Sequence, residues 1–68
     1  SDFRRIVAMI PGIGYRTSQA VEAAFGSSFR RMMLATERDW AEIAIVDESG
    51  KSKRLGVAKA KKILEALA

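Results

Sequence analysis

The chain has neither cysteine nor histidine among its 68 residues. Disulfide bonds are therefore excluded, and the sequence argues against the usual zinc sites, whose ligands are Cys and His. Aromatic residues are few, with three Phe, one Trp and one Tyr, so a core must consist mainly of Ile, Leu, Val, Ala and Met. Because a chain of this length is close to the lower limit for a self-sufficient core, we expect one small domain that pairs with a second chain.

Long apolar runs are also missing: no segment is long enough to span a membrane, and no signal-peptide pattern is present. The absence of cysteine suits an intracellular protein. The chain begins at Ser1 rather than at methionine, and Phe3 follows almost at once, so we expect a domain excised from a longer protein. We expect no metal and no cofactor.

Basic residues outnumber acidic ones, 12 to 8, which gives a net charge of +4. Half of them fall within residues 51–62, where no acidic residue occurs: Lys51, Lys53, Arg54, Lys59, Lys61 and Lys62. Such a cluster suits a polyanionic partner, although a solvated helix face has the same composition. Both interpretations stay open at this point.

The segment Ile10-Pro11-Gly12-Ile13-Gly14 organises the first half of the chain. Pro11 ends any preceding helix, because it has no amide proton and restricts the residue before it to extended conformations. The two glycines permit positive φ and leave backbone amides uncovered by side chains. A helix-forming segment follows directly, so these amides lie at a positive helix terminus that can accept a phosphate.

Hydrophobic spacing and capping residues predict five short helices, over residues 2–9, 15–24, 28–34, 37–43 and from 56 onward. Gly26 is expected just past the second helix, Ser27 or Ser28 caps the third, and Thr36 with Asp39 begins the fourth. The residues expected to face inward are Phe3, Ile6, Val7, Ile10, Ala20, Val21, Ala24, Phe29, Met32, Met33, Trp40, Ile43, Val57, Ala60, Ile63, Leu64 and Leu67. Between the last two helices, residues 44–55 form either a small β-hairpin or a flexible basic loop.

The two halves of the chain repeat one pattern. Four residues after Gly14 and Gly56 stands a small residue, Ser18 or Ala60. Seven residues after each glycine stands a β-branched apolar residue, Val21 or Ile63. Small residues at the first of these positions let two helices of a unit pack closely, so we predict a helix-hairpin-helix unit present twice.

Three segments carry a resemblance to a known family: Ile-Pro-Gly-Ile-Gly-Tyr-Arg-Thr-Ser, Ala-Phe-Gly-Ser-Ser-Phe and Ala-Thr-Glu-Arg-Asp-Trp-Ala-Glu-Ile. Nearly the entire chain resembles the tandem helix-hairpin-helix domain that ends the XPF/Hef/FANCM group of structure-specific nucleases. More distant resemblance extends to the modules of UvrC and of NAD-dependent DNA ligases. The implied fold is all-α, with five short helices, an insertion at about 44–55, hairpin one around residues 10–16 and hairpin two around residues 52–58.

The resemblance implies a DNA-repair module that binds duplex, forked or junction DNA, with single strands possible, through the phosphate backbone and without sequence specificity. In hairpin one and the first turn of the following helix, the implied DNA-binding residues are Gly12, Ile13, Gly14, Tyr15, Arg16 and Thr17. Ile13 itself is expected to pack inward, Thr17 is equally suited to capping, and Tyr15 and Trp40 either stack on bases or join the core. Around hairpin two the corresponding residues are Gly56, Ala58, Lys59 and Lys62.

Hairpin two departs from the family pattern, because Arg54 stands where the family has its first glycine and about ten extra residues precede it. We expect Lys51, Lys53 and Arg54 to replace the missing backbone contact with side-chain charge. The catalytic carboxylates of the nuclease relatives belong to a separate domain, so no enzymatic activity is expected of this fragment. The implied location is the nucleus of a eukaryote, or the cytoplasm or nucleoid of an archaeon or bacterium.

The alternative function is dimerisation, because domains of this family pair with themselves or with a paralogous subunit. Exposed apolar residues would mark such an interface. The candidates are Phe3, Phe29, Met33, Leu64 and Leu67.

Overall fold

A computed structural model describes all residues, 1–68, as a mostly helical domain with one small antiparallel sheet. The elements in chain order are α1 (Asp2–Val7), α2 (Tyr15–Phe25), α3 (Phe29–Leu34), α4 (Glu37–Ala41), β1 (Ala44–Val46), β2 (Ser52–Arg54) and α5 (Val57–Leu67). Helix α1 packs on α2 and α4 packs on α5, while β1 and α3 both contact α2. The expectation of five helices is confirmed.

Local signals set most of the helix ends. Gly26 follows α2 in the left-handed conformation, with φ of 61°. The Ser28 hydroxyl caps α3 by accepting from the Arg31 amide. At α4 the Thr36 and Asp39 side chains accept each other's backbone amides, which completes the predicted capping box.

Two helices end earlier than predicted, because their last residues form tighter turns. After α1 the amides of Met9 and Ile10 donate to carbonyls three residues back, at Ile6 and Val7. After α4 the Ile43 amide likewise donates to the Trp40 carbonyl. The chain then leaves helical geometry at once, for the proline turn in the first case and for β1 in the second.

Residues 44–54 form a two-stranded antiparallel structure, called the β-ribbon below, and this decides between the two alternatives for the insertion. Ala44 lies opposite Arg54, Ile45 opposite Lys53 and Val46 opposite Ser52. Asp47 orders the turn, since its carboxylate accepts from the Ser49 amide, the Ser49 hydroxyl and the Lys51 amide. Gly50 completes the turn with φ of 83°.

The predicted repeat is visible in burial and in helix length. Helices α2 and α5 have 11 residues each, and both begin directly after the glycine that defines the repeat. Ser18 and Ala60 are fully buried, as are Val21 and Ile63. Small residues at the first pair of positions therefore do face the packed interior.

The hydrophobic core joins both halves around Trp40, which is fully buried with its ring 5.2 Å from that of Phe25. This confirms Trp40 as a core residue. Its indole nitrogen is buried without a hydrogen-bond partner. The core consists of Phe3, Val7, Ile13, Val21, Phe25, Met32, Trp40, Ala41, Ile43, Leu55, Ala60 and Ile63.

Several predicted orientations are wrong. Ile6 and Val57 are half exposed and Ala24 is exposed. Phe3 was expected both to face inward and to belong to an exposed interface; it faces inward, with only 5% accessible, and its ring centroid lies 4.7 Å from that of Phe29. Phe29 and Met33 were also expected to face inward and do not, since they are 41% and 56% accessible, whereas Leu64 and Leu67 are partly buried against the core.

Candidate nucleic-acid interface

Hairpin one is a tight turn set by its proline and its first glycine. The Ile13 amide donates to the Ile10 carbonyl at 3.0 Å, which closes a four-residue turn with Pro11 in second place. Gly12, in third place, has φ of 91°, as this turn type requires. An added Cβ at Gly12 would lie 3.9 Å from Ile63 Cγ1, so the turn rests on α5.

Five backbone amides of this region donate no hydrogen bond. They belong to the two glycines and to the first turn of α2: Gly12, Gly14, Tyr15, Arg16 and Thr17. Gly14, which caps α2, has no side chain to accept from them, and the first intrahelical bond runs from Ser18 to Gly14. The helix dipole adds positive potential at the same place, so the arrangement can accept an anion such as phosphate.

Hairpin two uses its amides differently. The Leu55 amide donates to the Ile43 carbonyl at 2.9 Å, and the Gly56 amide donates to the Ala41 carbonyl at 3.0 Å. The amides of the first helical turn, residues 57–59, remain unpaired there. In hairpin two the residue with a positive φ, of 91°, is Gly56, which directly precedes the helix. In hairpin one it is Gly12, two residues before the glycine that caps α2.

The residue before each capping glycine points into the core. Ile13 is 4% accessible and Leu55 is 6% accessible. Ile13 is thus the core residue that it was expected to be, and its amide is used inside the turn. Neither its side chain nor its amide is available for a phosphate.

Two predicted contact residues at the start of α2 interact with other parts of the protein. Arg16 forms an ion pair with Glu48 in the β-ribbon turn, with 2.6 Å between Nη2 and Oε1. The exposed Tyr15 ring lies under the Arg4 guanidinium, whose carbon is 4.2 Å from the ring centroid. Tyr15 therefore lies outside the core, and Thr17 is half-buried.

The basic residues of the β-ribbon do not gather at a single point. Lys51 lies at the turn, close in the chain to the Arg16–Glu48 pair, and Lys53 lies opposite Ile45. Arg54 lines a cavity with Glu37 of α4 and with Glu42, the residue that follows α4, next to hairpin two. On α5 the side chains of Ala58, Lys59 and Lys62 are exposed.

Sequence reasoning missed Glu48 and Arg4 as neighbours of the candidate interface. Each acts across a tertiary contact, with Glu48 32 residues from Arg16, and no spacing rule for helices or strands connects such pairs. A groove of about 550 Å³ between α2 and β1 was missed for the same reason. It is lined by Tyr15, Arg16, Gln19, Ala20, Ala23, Ala44, Val46 and Asp47.

Asp47 is the β-ribbon residue with a perturbed acidity. The Ser49 hydroxyl, then the Lys51 and Ser49 amides, hold the pKa of Asp47 below its ordinary value of 3.8. The Arg16 charge acts in the same direction. The turn that carries Glu48 is therefore ordered around an ionised carboxylate.

Comparison with protein-family models, curated proteins and solved structures finds no match to this chain. None of the five helices is long and apolar enough to cross a membrane. No group of three or more acidic side chains is placed to hold a metal ion.

Proposed function

We propose that this protein is a DNA-binding module of the tandem helix-hairpin-helix type, which holds the phosphate backbone of duplex, forked or junction DNA. The proposed parent is a DNA-repair nuclease or helicase, to which the module supplies binding rather than catalysis. The proposal combines the resemblance of the sequence with the hydrogen-bonding state of hairpin one.

The observation that carries the proposal is the set of five unpaired amides at Gly12, Gly14, Tyr15, Arg16 and Thr17. Backbone amides at a helix start bind phosphate by charge-assisted hydrogen bonds. They make no contact with base edges, so they position the domain on DNA without reading sequence. Selectivity among DNA structures then depends on how many phosphates the surface reaches at once.

Exposed basic side chains elsewhere in the domain also support the proposal. Lys51, Lys53 and Arg54 of the β-ribbon are exposed, as are Lys59 and Lys62 of α5. Hairpin one lies near α5, the helix that carries these two lysines, since a Cβ added at Gly12 would be 3.9 Å from Ile63 Cγ1. A strand of DNA on hairpin one therefore has basic side chains within the same small domain to neutralise neighbouring phosphates.

The salt dependence of DNA affinity tests this proposal. Contact with four phosphates gives a slope of log K against log salt concentration of roughly −3 to −4 on duplex DNA. Equal lengths of duplex, forked, junction and single-stranded DNA, titrated at several salt concentrations, separate backbone binding from structure selectivity. An affinity that does not change with salt would contradict the proposal.

A second candidate function, dimerisation, is favoured by exposed apolar residues on α3 and just after α1. Phe29 is 41% accessible and Met33 56% accessible, and Met9 and Leu34 are more exposed still. The contact between Phe3 and Phe29 holds α1 and α3 together, so these side chains belong to neighbouring helices. A set of this kind is typical of a surface that binds another protein.

Sedimentation measured across concentration tests dimerisation. We expect Met33→Glu to shift the chain towards monomer, while Val57→Glu, at an exposed apolar residue on α5, leaves association unchanged. A chain that is strictly monomeric at high micromolar concentration would contradict this second function without affecting the first.

A further inference from the structure

The β-ribbon places a negative charge directly on the cation of the candidate interface. Arg16 lies in the first turn of α2, among the unpaired amides, and its guanidinium is 2.6 Å from the Glu48 carboxylate. The Arg16 side chain is 45% accessible and that of Glu48 is 88% accessible. The pair is therefore within reach of a ligand that approaches hairpin one.

The position of Glu48 follows from an ordered turn. Asp47 accepts three hydrogen bonds from Ser49 and Lys51, and the Gly50 amide donates to the Asp47 carbonyl. Strand β1, which leads into this turn, packs against α2. The turn therefore places Glu48 beside α2.

Charge is distributed unevenly along the β-ribbon. The two acidic residues, Asp47 and Glu48, lie at the turn beside α2, whereas the basic residues Lys51, Lys53 and Arg54 follow them in the chain. The insertion was expected only to add positive charge. Its contact with hairpin one is instead made by a carboxylate.

We propose that Glu48 is an internal competitor for the phosphate bound at hairpin one, an inference that rests on the proposed DNA-binding function. In the free protein Glu48 is paired with Arg16, so a phosphate must displace it to reach the guanidinium. A bound phosphate takes over the guanidinium, and Glu48 turns away into solvent. The exposed ion pair itself is weak, as exposed pairs are, so the exchange is readily reversible.

Glu48 competes with phosphate at hairpin one and not at hairpin two. The residue of α5 that corresponds to Arg16 is Ala58, which has no charge to be neutralised. Release of Glu48 therefore adds one cation at hairpin one and changes nothing at hairpin two.

Glu48→Gln tests the inference, because it removes the negative charge from an exposed turn residue without removing the side chain. An ion pair between unit charges about 4 Å apart in water is worth about a factor of five, so we expect duplex DNA to bind up to about fivefold more tightly when this pair no longer has to be broken. The salt slope is expected to stay the same, because Arg16 reaches the phosphate in both proteins. The matched control is Glu42→Gln, which makes the same chemical change in the exposed Arg38–Glu42 pair at the C-terminal end of α4.

The double variant Arg16→Ala with Glu48→Gln shows whether the effect passes through Arg16. We expect the gain from Glu48→Gln to disappear when it is measured against Arg16→Ala alone. Equal gains from Glu48→Gln and Glu42→Gln, or a gain that persists without Arg16, would overturn the inference. So would weaker binding by Glu48→Gln, which would make Glu48 a positioning residue for Arg16.

These outcomes are distinct from a failure of the proposed function. If the wild type binds duplex DNA with the expected salt slope and Glu48→Gln changes nothing, only the competitor role is overturned. If neither the wild type nor Glu48→Gln binds DNA at low salt, both proposals are overturned together.

Discussion

Hairpin one and hairpin two precede helices of equal length but leave different numbers of backbone amides free. Hairpin one leaves five unpaired, because only the Ile13 amide is used inside its turn. Hairpin two uses two amides, because Leu55 and Gly56 donate to carbonyls just after α4 and at its end. The glycine with positive φ comes two residues before the helix cap in hairpin one and is the cap itself in hairpin two.

The difference shows that the two segments match in the residues that they bury but differ in the hydrogen bonding of their turns. Ile13 and Leu55 both fill the core, and Ser18 and Ala60 both permit close helix packing. These positions require only a residue of suitable size. The availability of amides depends instead on what precedes the helix, which is Pro11-Gly12 in one case and the strand β2 in the other.

Blocking the amides of hairpin one is expected to have the largest effect. Gly14 has φ of −90° and open space around its Cα, so Gly14→Val folds without strain and places a branched side chain beside the free amides. Loss of one hydrogen bond to a charged phosphate, about 1.5–3 kcal/mol, predicts duplex affinity at least about tenfold lower. Fluorescence anisotropy with labelled duplex DNA measures this loss of affinity.

The control for this variant is Ala58→Val, in the corresponding first turn of α5. We expect its affinity to change less than about threefold, because the turn before it has already used its glycine amide. Equal losses from the two variants would remove the distinction between the hairpins.

Alanine at the three glycines tests where the backbone is constrained. Gly12→Ala and Gly56→Ala force a side chain into φ of 91°, so we expect each to lower the free energy of unfolding by about 1–2 kcal/mol. Gly14→Ala is expected to change it by less than about 0.5 kcal/mol. Urea denaturation followed by circular dichroism measures all three, and a destabilised Gly14→Ala would contradict the geometry of hairpin one.

Adding the missing cation to hairpin two is expected to raise affinity moderately. Ala58→Arg places a guanidinium where hairpin one has Arg16, without a carboxylate paired to it. We expect about fivefold tighter duplex binding and a salt slope steeper by about 0.9. Ala66→Arg, exposed near the other end of α5, adds the same charge away from the hairpin. If both variants bind alike, net charge rather than position controls affinity.

The smallest expected effect is that of low pH on the turn of the β-ribbon. This element has no counterpart before hairpin one. Because the pKa of Asp47 lies below 3.8, its ionised form stabilises the folded turn. That contribution is complete above the ordinary value and is lost as pH falls through the lower pKa of the folded protein. The amide shifts of Ser49 and Lys51 should titrate with a midpoint below 3.8, and a midpoint at or above it would contradict the observed hydrogen bonds.

An internal control for this titration is the Arg31 amide. It donates to the neutral hydroxyl of Ser28 rather than to a carboxylate. Its shift should stay constant over the range in which Ser49 and Lys51 respond.

Local chemistry made much of the fold predictable from the sequence. Gly26, Ser28 and the Thr36–Asp39 box act within four residues of the helix ends that they define, so their signals are complete in the chain. The turn of hairpin one is predictable for the same reason, since Pro11 and Gly12 set its backbone angles.

Tertiary contacts made the rest unpredictable. The burial of Phe3 depends on Phe29, which lies in another helix 26 positions along the chain. At the candidate site, the pairing of Arg16 with Glu48 depends on the packing of the β-ribbon against α2. The loss of free amides in hairpin two depends on carbonyls that belong to Ala41 and Ile43.

A backbone-amide NMR titration with duplex DNA tests the central claim, that hairpin one holds the phosphate backbone. We expect the largest shifts at Gly12 and at residues 14–17, with smaller shifts at residues 57–59. Shifts confined to the basic residues 51–54, with no change at residues 12–17, would contradict the claim.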